Sequence, residues 1–256
     1  MNLDKEIEKH RYDKRSKSAT KIFKKKGITV QTALGVDTIS NPLRTPYYYY
    51  ISKINKYIKN KDKVLEIGSG VGEFTDILLN TKANIVASDI SFYSLNLLKL
   101  RMKSRSNLNS VVLDIEKLPF CDDKFDYVVS SGVLSYGDNQ EVMDEILRIL
   151  RKGGMFICVD SLNNNIIYKF NRWLHFKMGR RSRSTLKRMP TINLIKKYKD
   201  LFGQIEVKYF GSISWITPIF IRLVGPSNSK LISDKFDDLF NIRNSAFKFV
   251  MIAKKK

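Results

Sequence analysis

Short apolar runs and amphipathic segments alternate through the middle of the chain. Five apolar runs are typical of buried strands and lie at 64–67, 85–88, 111–113, 127–130 and 155–159. The segments between them predict helices at 74–79, after an N-cap at Ser91, and at 141–150, where Gly153 and Gly154 are expected to end the helix. This alternation over short connections predicts a doubly wound, mainly parallel α/β sheet with ligands at the carboxyl ends of its strands.

The pattern changes after residue 161. A polar segment rich in Asn and Arg extends to Met189, and Pro190 is expected to open a helix that reaches Phe202. A strand at 205–210 and a final strand at 247–253 follow, separated by the segment 211–241. We therefore expect insertions after the fifth and the sixth strand.

Composition narrows the class of protein. A chain of 256 residues with 43% hydrophobic residues can build a real core, which excludes disorder as its main state. The first eleven residues are charged throughout and do not read as a signal peptide, and no apolar run is long enough to span a membrane. Cys121 and Cys158 are too few and too far apart for a metal knuckle or a disulfide framework. We therefore expect no metal site and a reducing, cytoplasmic location.

The positive charge is concentrated in three segments. The chain has 46 Lys and Arg against 25 Asp and Glu, a net charge of +21. Residues 1–26 carry a net charge of +6, residues 161–199 hold eleven basic and no acidic residues, and the last three residues add +3. The rest of the chain is nearly neutral, so the charge points to an anionic partner at particular places rather than over the whole surface.

A glycine-rich loop follows the first predicted strand. Gly68, Gly70 and Gly72 occupy alternate positions, where only glycine lets the backbone turn tightly and approach a ligand closely. A dinucleotide fingerprint requires a glycine at the position of Glu73, and the Gly-Lys-Ser/Thr ending of a phosphate loop is absent. The loop is therefore suited to a different nucleoside.

Acidic side chains end three successive predicted strands. Asp89 can accept both ribose hydroxyls of a nucleoside, and Asp114 can accept the exocyclic amine of adenine while Ile115 packs on the ring. Glu66 ends the first strand. Three carboxylates in a basic protein suit a ligand with an amine and a positive centre better than a pyrophosphate.

These motifs resemble the class I S-adenosylmethionine-dependent methyltransferases that modify small molecules, of the type 11 kind. The resemblance covers residues 60–161 and rests on five segments: 66–72, Asp89, 114–120, 125–130 and 150–154. It implies a Rossmann-like sheet of seven strands whose last strand is antiparallel. It also implies a methyltransferase domain at 61–256 after a basic N-terminal arm and helical cap at 1–60, with insertions 163–190 and 211–241 forming a lid on the acceptor side.

The resemblance also assigns the cofactor, S-adenosylmethionine. It implies that the glycine loop holds the methionine moiety, that Asp89 holds the ribose and that Asp114 holds the adenine, while Arg44 is a candidate to pair with the methionine carboxylate. The complete predicted cofactor site comprises Arg44, Glu66, Gly68, Ser69, Gly70, Gly72, Asp89, Ile90, Asp114, Ile115 and Ser130.

The catalytic group is left open. Methyl transfer from a sulfonium requires mainly that donor and nucleophile are held in line, and a general base helps when the nucleophile is a hydroxyl. His175, Tyr136 and Asp138 are the candidates. Neither an Asn-Pro-Pro-Tyr nor an Asp-Pro-Pro-Tyr motif follows the fourth strand, and no Pro-Cys pair is present there, which argues against DNA and many RNA methyltransferases.

The insertion at 163–190 points to the methyl acceptor. It interleaves arginines with aromatic residues, namely Arg172, Arg180, Arg181, Arg183 and Arg188 with Tyr168, Trp173 and Phe176. Such a composition suits phosphates, sugars or stacked bases. We therefore expect a small anionic acceptor, with a hydroxyl of an anionic or lipid-linked saccharide as the leading hypothesis.

Two alternatives remain for the acceptor. A C-methyltransferase of the quinone-biosynthesis type has a similar core, and an RNA-binding or RNA-modifying protein would use the basic segments on phosphates, although nucleic acid is less favoured. The apolar residues at 215–223 have helical spacing, which fits peripheral contact with the inner face of a membrane as well as a buried lid or a dimer contact. The oligomeric state is not predicted.

Overall fold

The computed structural model of the chain describes residues 3–26, 43–103, 105–179 and 182–256. Its centre is a seven-stranded sheet of order β3-β2-β1-β4-β5-β7-β6. The strands are β1 Lys63–Ile67, β2 Asn84–Asp89, β3 Leu108–Val112, β4 Phe125–Ser131, β5 Leu150–Ser161, β6 Gln204–Phe210 and β7 Lys248–Lys254. β7 lies antiparallel between β5 and β6, whereas β1 to β5 are parallel to one another. The predicted fold, including its antiparallel last strand, is confirmed.

Nine helices of the described residues surround this sheet. They are α1 Leu3–Lys26, α2 Thr45–Tyr57, α3 Thr75–Asn80, α4 Phe92–Met102, α5 Asn139–Ile149, α6 Ile166–Lys177, α7 Arg183–Lys187, α8 Ile192–Phe202 and α9 Thr217–Phe240. A 3₁₀ turn, Ser214–Ile216, precedes α9, and α9 is kinked at Gly225, which has φ +79° and is followed by Pro226. No helix in the described ranges is long and apolar enough to cross a membrane.

Two apolar cores lie on opposite faces of the sheet. Ile146 of α5 and Tyr198 of α8 belong to one core, and Ile54 of α2, Leu78 of α3 and Leu98 of α4 belong to the other. Helices on both faces bury both sides of the strands, as expected for a doubly wound sheet. The parallel strands β1 to β4 therefore present their carboxyl ends, and the loops that follow them, at one edge.

The predicted helix end at Gly153 and Gly154 is wrong. α5 ends at Ile149, and both glycines lie inside β5, where Gly153 donates its N–H to Lys255 O at 3.0 Å. The pairing of β5 with β4 shifts register in this region, and Gly153 has φ +75°. The glycines therefore bend a strand, a role that produces the same sequence signal as a helix terminus.

Candidate active site

The glycine loop lies at the carboxyl end of β1. Gly68 has φ +66°, and a Cβ there would lie 2.4 Å from Val133 Cγ2. Gly70 has φ +56°, and nothing lies within 4 Å of the place where its Cβ would be. Gly68 therefore lets the loop pack closely on the segment that follows β4, whereas Gly70 leaves open space for a ligand.

Asp89 connects the end of β2 to this loop. Its Oδ2 accepts a hydrogen bond from Gly70 N at 3.0 Å, and its Oδ1 accepts one from Ser91 N at 2.8 Å. Burial raises the pKa of Asp89, against the lowering effect of these backbone hydrogen bonds. Ser91 caps α4 as predicted, because its hydroxyl accepts from Ser94 N. The carboxylate is thus held rigidly beside the open side of the glycine loop.

Glu66 lies on β1 and is not part of the cavity wall. Its side chain is buried, and its Oε2 accepts from the Thr75 hydroxyl at 2.6 Å. Burial raises its pKa to about 7; the Thr75 hydrogen bond opposes this shift, and Glu73 and Asp89 add to it. The structure therefore brings two of the three predicted carboxylates to the cavity, and Glu66 instead holds Thr75, the first residue of α3.

A cavity at this edge of the sheet brings together six of the eleven predicted cofactor residues: Gly68, Gly70, Asp89, Ile90, Asp114 and Ile115. Ser69 and Ser130 are buried close by without lining it, and Gly72 packs on Leu98 and Met102 of α4. Arg44 is also absent from its lining and precedes α2, where the neighbouring Thr45 hydroxyl donates to Asp234 of α9.

Helix α1 forms a wall of the same cavity. Four of its side chains line it: Lys5, Glu8, Tyr12 and Arg15. Lys5 Nζ lies 2.6 Å from Asp114 Oδ2 and also contacts Glu116, which lies just after it. Burial lowers the pKa of Lys5, but the hydrogen bonds to both carboxylates outweigh it and raise the pKa overall. The ammonium of Lys5 is thus paired with Asp114, the carboxylate predicted to accept the adenine amine.

Further polar contacts hold α1 in place. Asp13 accepts from the Ser91 hydroxyl, and the Ser16 hydroxyl lies 2.9 Å from that of Ser94 on α4. Glu8 accepts from Ser182 N at 3.4 Å and from the Thr185 hydroxyl at 3.2 Å, which joins α1 to α7. The sequence identifies 1–60 only as a basic arm and cap; its cavity residues were missed, because no local motif marks them.

The three candidate bases occupy different surroundings. Tyr136 lines the cavity, where its hydroxyl accepts from the Tyr12 hydroxyl at 2.7 Å, and burial raises its pKa far above the usual range. Asp138 is the N-cap of α5 and accepts from two backbone N–H groups of its first turn. His175 lies half-buried near the end of α6, and it is not part of the cavity wall. Only Tyr136 of the three lies at the candidate site.

The arginines predicted on the acceptor side lie in different surroundings. Arg172 is buried and donates to Leu162 O at 2.7 Å and to Asn163 Oδ1 at 2.9 Å, so it stabilises the start of the insertion. Arg188 lies 3.6 Å from Glu116, beside the cavity, and Arg183 is exposed on α7. Arg180 and Arg181 lie outside the described residues.

The open space at the loops fits a nucleoside cofactor. At Gly70 and at Gly132, which follows β4, nothing lies within 4 Å of an added Cβ, and both residues line the cavity. A side chain at either position would occupy space in the cavity that glycine leaves open for a ligand. The cavity also offers carboxylate acceptors at Asp89 and Asp114 and apolar side chains at Ile90 and Ile115, as a ribose and an adenine require.

Comparison with known proteins agrees with this geometry. Residues 65–158 match the family model described as a methyltransferase domain. Demethylmenaquinone methyltransferase of Staphylococcus aureus is 25% identical over 190 residues, which are 72% of this chain and 70% of that protein. That of Staphylococcus carnosus is 29% identical over 125 residues, which cover 47% of this chain and 52% of the relative. The chain thus spans about half the length of several curated relatives it matches.

Solved structures share the fold at low identity. Phosphoethanolamine N-methyltransferase 2 of Haemonchus contortus, solved with S-adenosyl-L-methionine, has a TM-score of 0.58 at 16% identity, covering 82% of this chain and 53% of that one. The [4+2]-cyclase SpnF has a TM-score of 0.56 at 14% identity, covering 81% and 80%. The second match shows that the fold alone does not define the reaction.

Fold, glycine loop and family match together define the class: the chain carries a class I S-adenosylmethionine-dependent methyltransferase domain. The predictions of this class and of its cofactor, S-adenosylmethionine, are confirmed. The binding residues remain predictions.

Proposed function

We propose that the protein transfers a methyl group from S-adenosylmethionine to a small-molecule acceptor. The observation that carries this proposal is the cavity that joins the glycine loop with Asp89, Ile90, Asp114 and Ile115 in a chain whose residues 65–158 match a methyltransferase domain. When bound, the cofactor supplies an electrophilic methyl group on a sulfonium.

The residues of the chain would bind and orient this cofactor. Asp89 accepts hydrogen bonds from the ribose hydroxyls, and Asp114 accepts one from the adenine amine in place of Lys5. Ile90 and Ile115 pack on the base. Arg15 of α1 is a cation of the cavity wall and replaces Arg44 as the candidate partner of the methionine carboxylate.

Calorimetry with S-adenosylmethionine tests the cofactor site. Asp89→Ala should abolish measurable binding, because the variant loses the ribose acceptor and the support of Gly70 N. Asp89→Asn keeps the shape and should bind weakly. Asp200→Ala, at an exposed position of α8, is the matched control and should bind like the wild type. Wild-type affinity in a folded Asp89→Ala protein would contradict the assignment.

We propose a hydroxyl of an anionic or lipid-linked saccharide as the acceptor. Basic groups beside the cavity support it: Arg188 contacts Glu116 at its rim, and α7, with exposed Arg183, is joined to α1 through Glu8. Tyr136 cannot remove a proton at neutral pH, since its pKa is far too high, but its hydroxyl can donate a hydrogen bond to the acceptor oxygen.

A carbon of a quinone precursor is the second candidate. It is favoured by the similarity to demethylmenaquinone methyltransferases at 25–31% identity. The two candidates differ in the nucleophile, because one presents an oxygen and the other a ring carbon.

A methyl-transfer screen separates the candidates. The protein is incubated with methyl-labelled cofactor and nucleotide sugars, lipid-linked saccharides or naphthoquinols, and the labelled product is identified. Arg183→Gln should raise KM for an anionic saccharide and leave cofactor affinity unchanged, whereas Lys99→Gln, exposed on α4 at the far edge of the sheet, should change neither. Label in the quinol alone would overturn the saccharide proposal.

A further inference from the structure

Helix α6 is packed with its polar side inward. The two buried side chains are Tyr168, whose hydroxyl donates to Gly211 O at 3.2 Å, and Arg172, which donates to two carbonyl oxygens. Both lie on the side of the helix that faces the body. An amphipathic helix on a globular protein ordinarily buries its apolar side instead.

The apolar side of α6 faces solvent. Ile166, Phe170 and Trp173 follow one another at spacings of four and three residues and therefore share one face. Their exposed fractions are 79%, 60% and 44%, and the rings of Phe170 and Trp173 stack with centroids 5.8 Å apart. Exposed Lys177 extends this face and lies over the Trp173 ring.

A second exposed apolar group lies next to α6. Trp215, Ile219 and Leu223, from the 3₁₀ turn and the first half of α9, share one helical face and are 43%, 58% and 74% exposed. Tyr168 joins α6 to the segment before this turn, because its hydroxyl donates to Gly211 O at 3.2 Å. We call Ile166, Phe170, Trp173, Trp215, Ile219 and Leu223 the exposed apolar face. Apolar groups of this kind rimmed by polar residues mark contact surfaces.

The exposed apolar face lies at the same edge of the sheet as the cavity. α6 follows the carboxyl end of β5, and the 3₁₀ turn follows the end of β6, which is parallel to β5 because both are antiparallel to β7. A partner bound there would lie at the same edge of the sheet as the cavity.

Charge decides which partner fits. Exposed Lys169, Lys177 and Arg222 flank the apolar residues, and the segment 161–199 contains eleven basic and no acidic residues. A second copy bound across a twofold axis would set this surface against itself, so that like charges would meet. An anionic lipid surface supplies the opposite charge. Tryptophan, lysine and arginine are also side chains that favour the interface between a bilayer and water.

We propose that the exposed apolar face docks on the surface of an anionic lipid bilayer. Ile166, Phe170, Ile219 and Leu223 enter the acyl boundary, the tryptophans lie at the level of the headgroups, and the flanking cations contact the lipid phosphates. This docking goes beyond methyl transfer and is tested without any acceptor.

Tryptophan emission measures docking directly. The chain has two tryptophans, both in the exposed apolar face, so its emission reports on this surface. Vesicles of phosphatidylcholine with about one third phosphatidylglycerol should shift the emission to the blue and co-sediment with the protein. Pure phosphatidylcholine vesicles should bind much less, and raising the salt concentration to about 0.5 M should weaken binding to anionic vesicles.

Matched variants locate the contact. Ile166→Ser with Phe170→Ser should weaken partitioning by about tenfold or more, because each apolar side chain that enters the bilayer contributes about that factor. Leu100→Ser with Lys99→Glu, at exposed positions on α4, is the control and should partition almost like the wild type.

Several results would overturn the proposal. These are no binding to anionic vesicles at low salt, equal binding by the Ser variant, or equal loss in the control. Lipid-free protein that sediments as a dimer with both tryptophans already shielded would assign the face to a second copy, and binding to RNA but not to vesicles would assign the charge to nucleic acid.

Discussion

Glu66→Gln should remove a pH-dependent penalty on stability. Glu66 is fully buried, and its pKa is raised from the usual 4.5 to about 7 in the folded chain. The folded state therefore favours the protonated carboxyl. The contribution of this preference to the stability of the fold is fully present below pH 4.5 and is lost as the pH rises through 7. The rise of the pKa from 4.5 to about 7 corresponds to a penalty of about 3 kcal/mol at pH 8.

The measurement is urea unfolding of cofactor-free protein, followed by circular dichroism at pH 5 and pH 8. A glutamine at position 66 can still accept from the Thr75 hydroxyl but carries no charge. From pH 5 to pH 8, the stability of the variant should therefore rise by about 2–3 kcal/mol relative to the wild type. Glu141→Gln, at an exposed position in the first turn of α5, is the control for the change of side chain.

An equal stability difference at both pH values would refute the reasoning. It would mean that the carboxyl of Glu66 titrates alike in the folded and unfolded chain, so that its burial imposes no penalty on the charged form. A carboxyl titration followed by carbon NMR gives an independent value for the pKa of Glu66.

Three further predictions concern the cavity and its surroundings. Gly68→Ala should lower the midpoint of urea unfolding more than Gly70→Ala, because the first Cβ would collide with Val133 while the second meets open space; in calorimetry both should lose cofactor binding. Asp138→Ala should lower the free energy of unfolding by about 1 kcal/mol, since α5 loses its N-cap, and an unchanged value would contradict that role. Lys5→Met should tighten cofactor binding several-fold in calorimetry because Asp114 is released, and weaker binding would show that Lys5 assists the ligand instead.

The sheet and the cavity could be predicted from sequence because their signals are local. The glycine loop, Asp89 and Asp114 each follow a strand within a few residues, and parallel strands carry them to one edge. The pairing of Lys5 with Asp114 joins residues 109 positions apart and leaves no motif. Long-range polar contacts of this kind are determined by tertiary packing.

Helix α6 shows a second limit of sequence reasoning. The insertion 163–190, to which α6 belongs, interleaves arginines with aromatic residues and predicts a ligand-binding lid. In the structure, Arg172 of α6 donates to Leu162 O inside the protein, whereas Phe170 and Trp173 face solvent. The pattern establishes that the helix has two unlike faces. It does not establish which face the body of the protein covers.

The break in α9 separates an anchored half from a half without those anchors. In the second half, Asp237 accepts from Gly211 N and Ser212 N, and Asp234 accepts from the Thr45 hydroxyl, which ties this half to β6 and α2. The first half, 217–224, carries exposed apolar side chains and precedes Gly225, whose φ of +79° interrupts the helix. Gly225 thus lets the two half helices run in different directions: Asp234 and Asp237 hold the second half, and the first half continues from the 3₁₀ turn that follows β6.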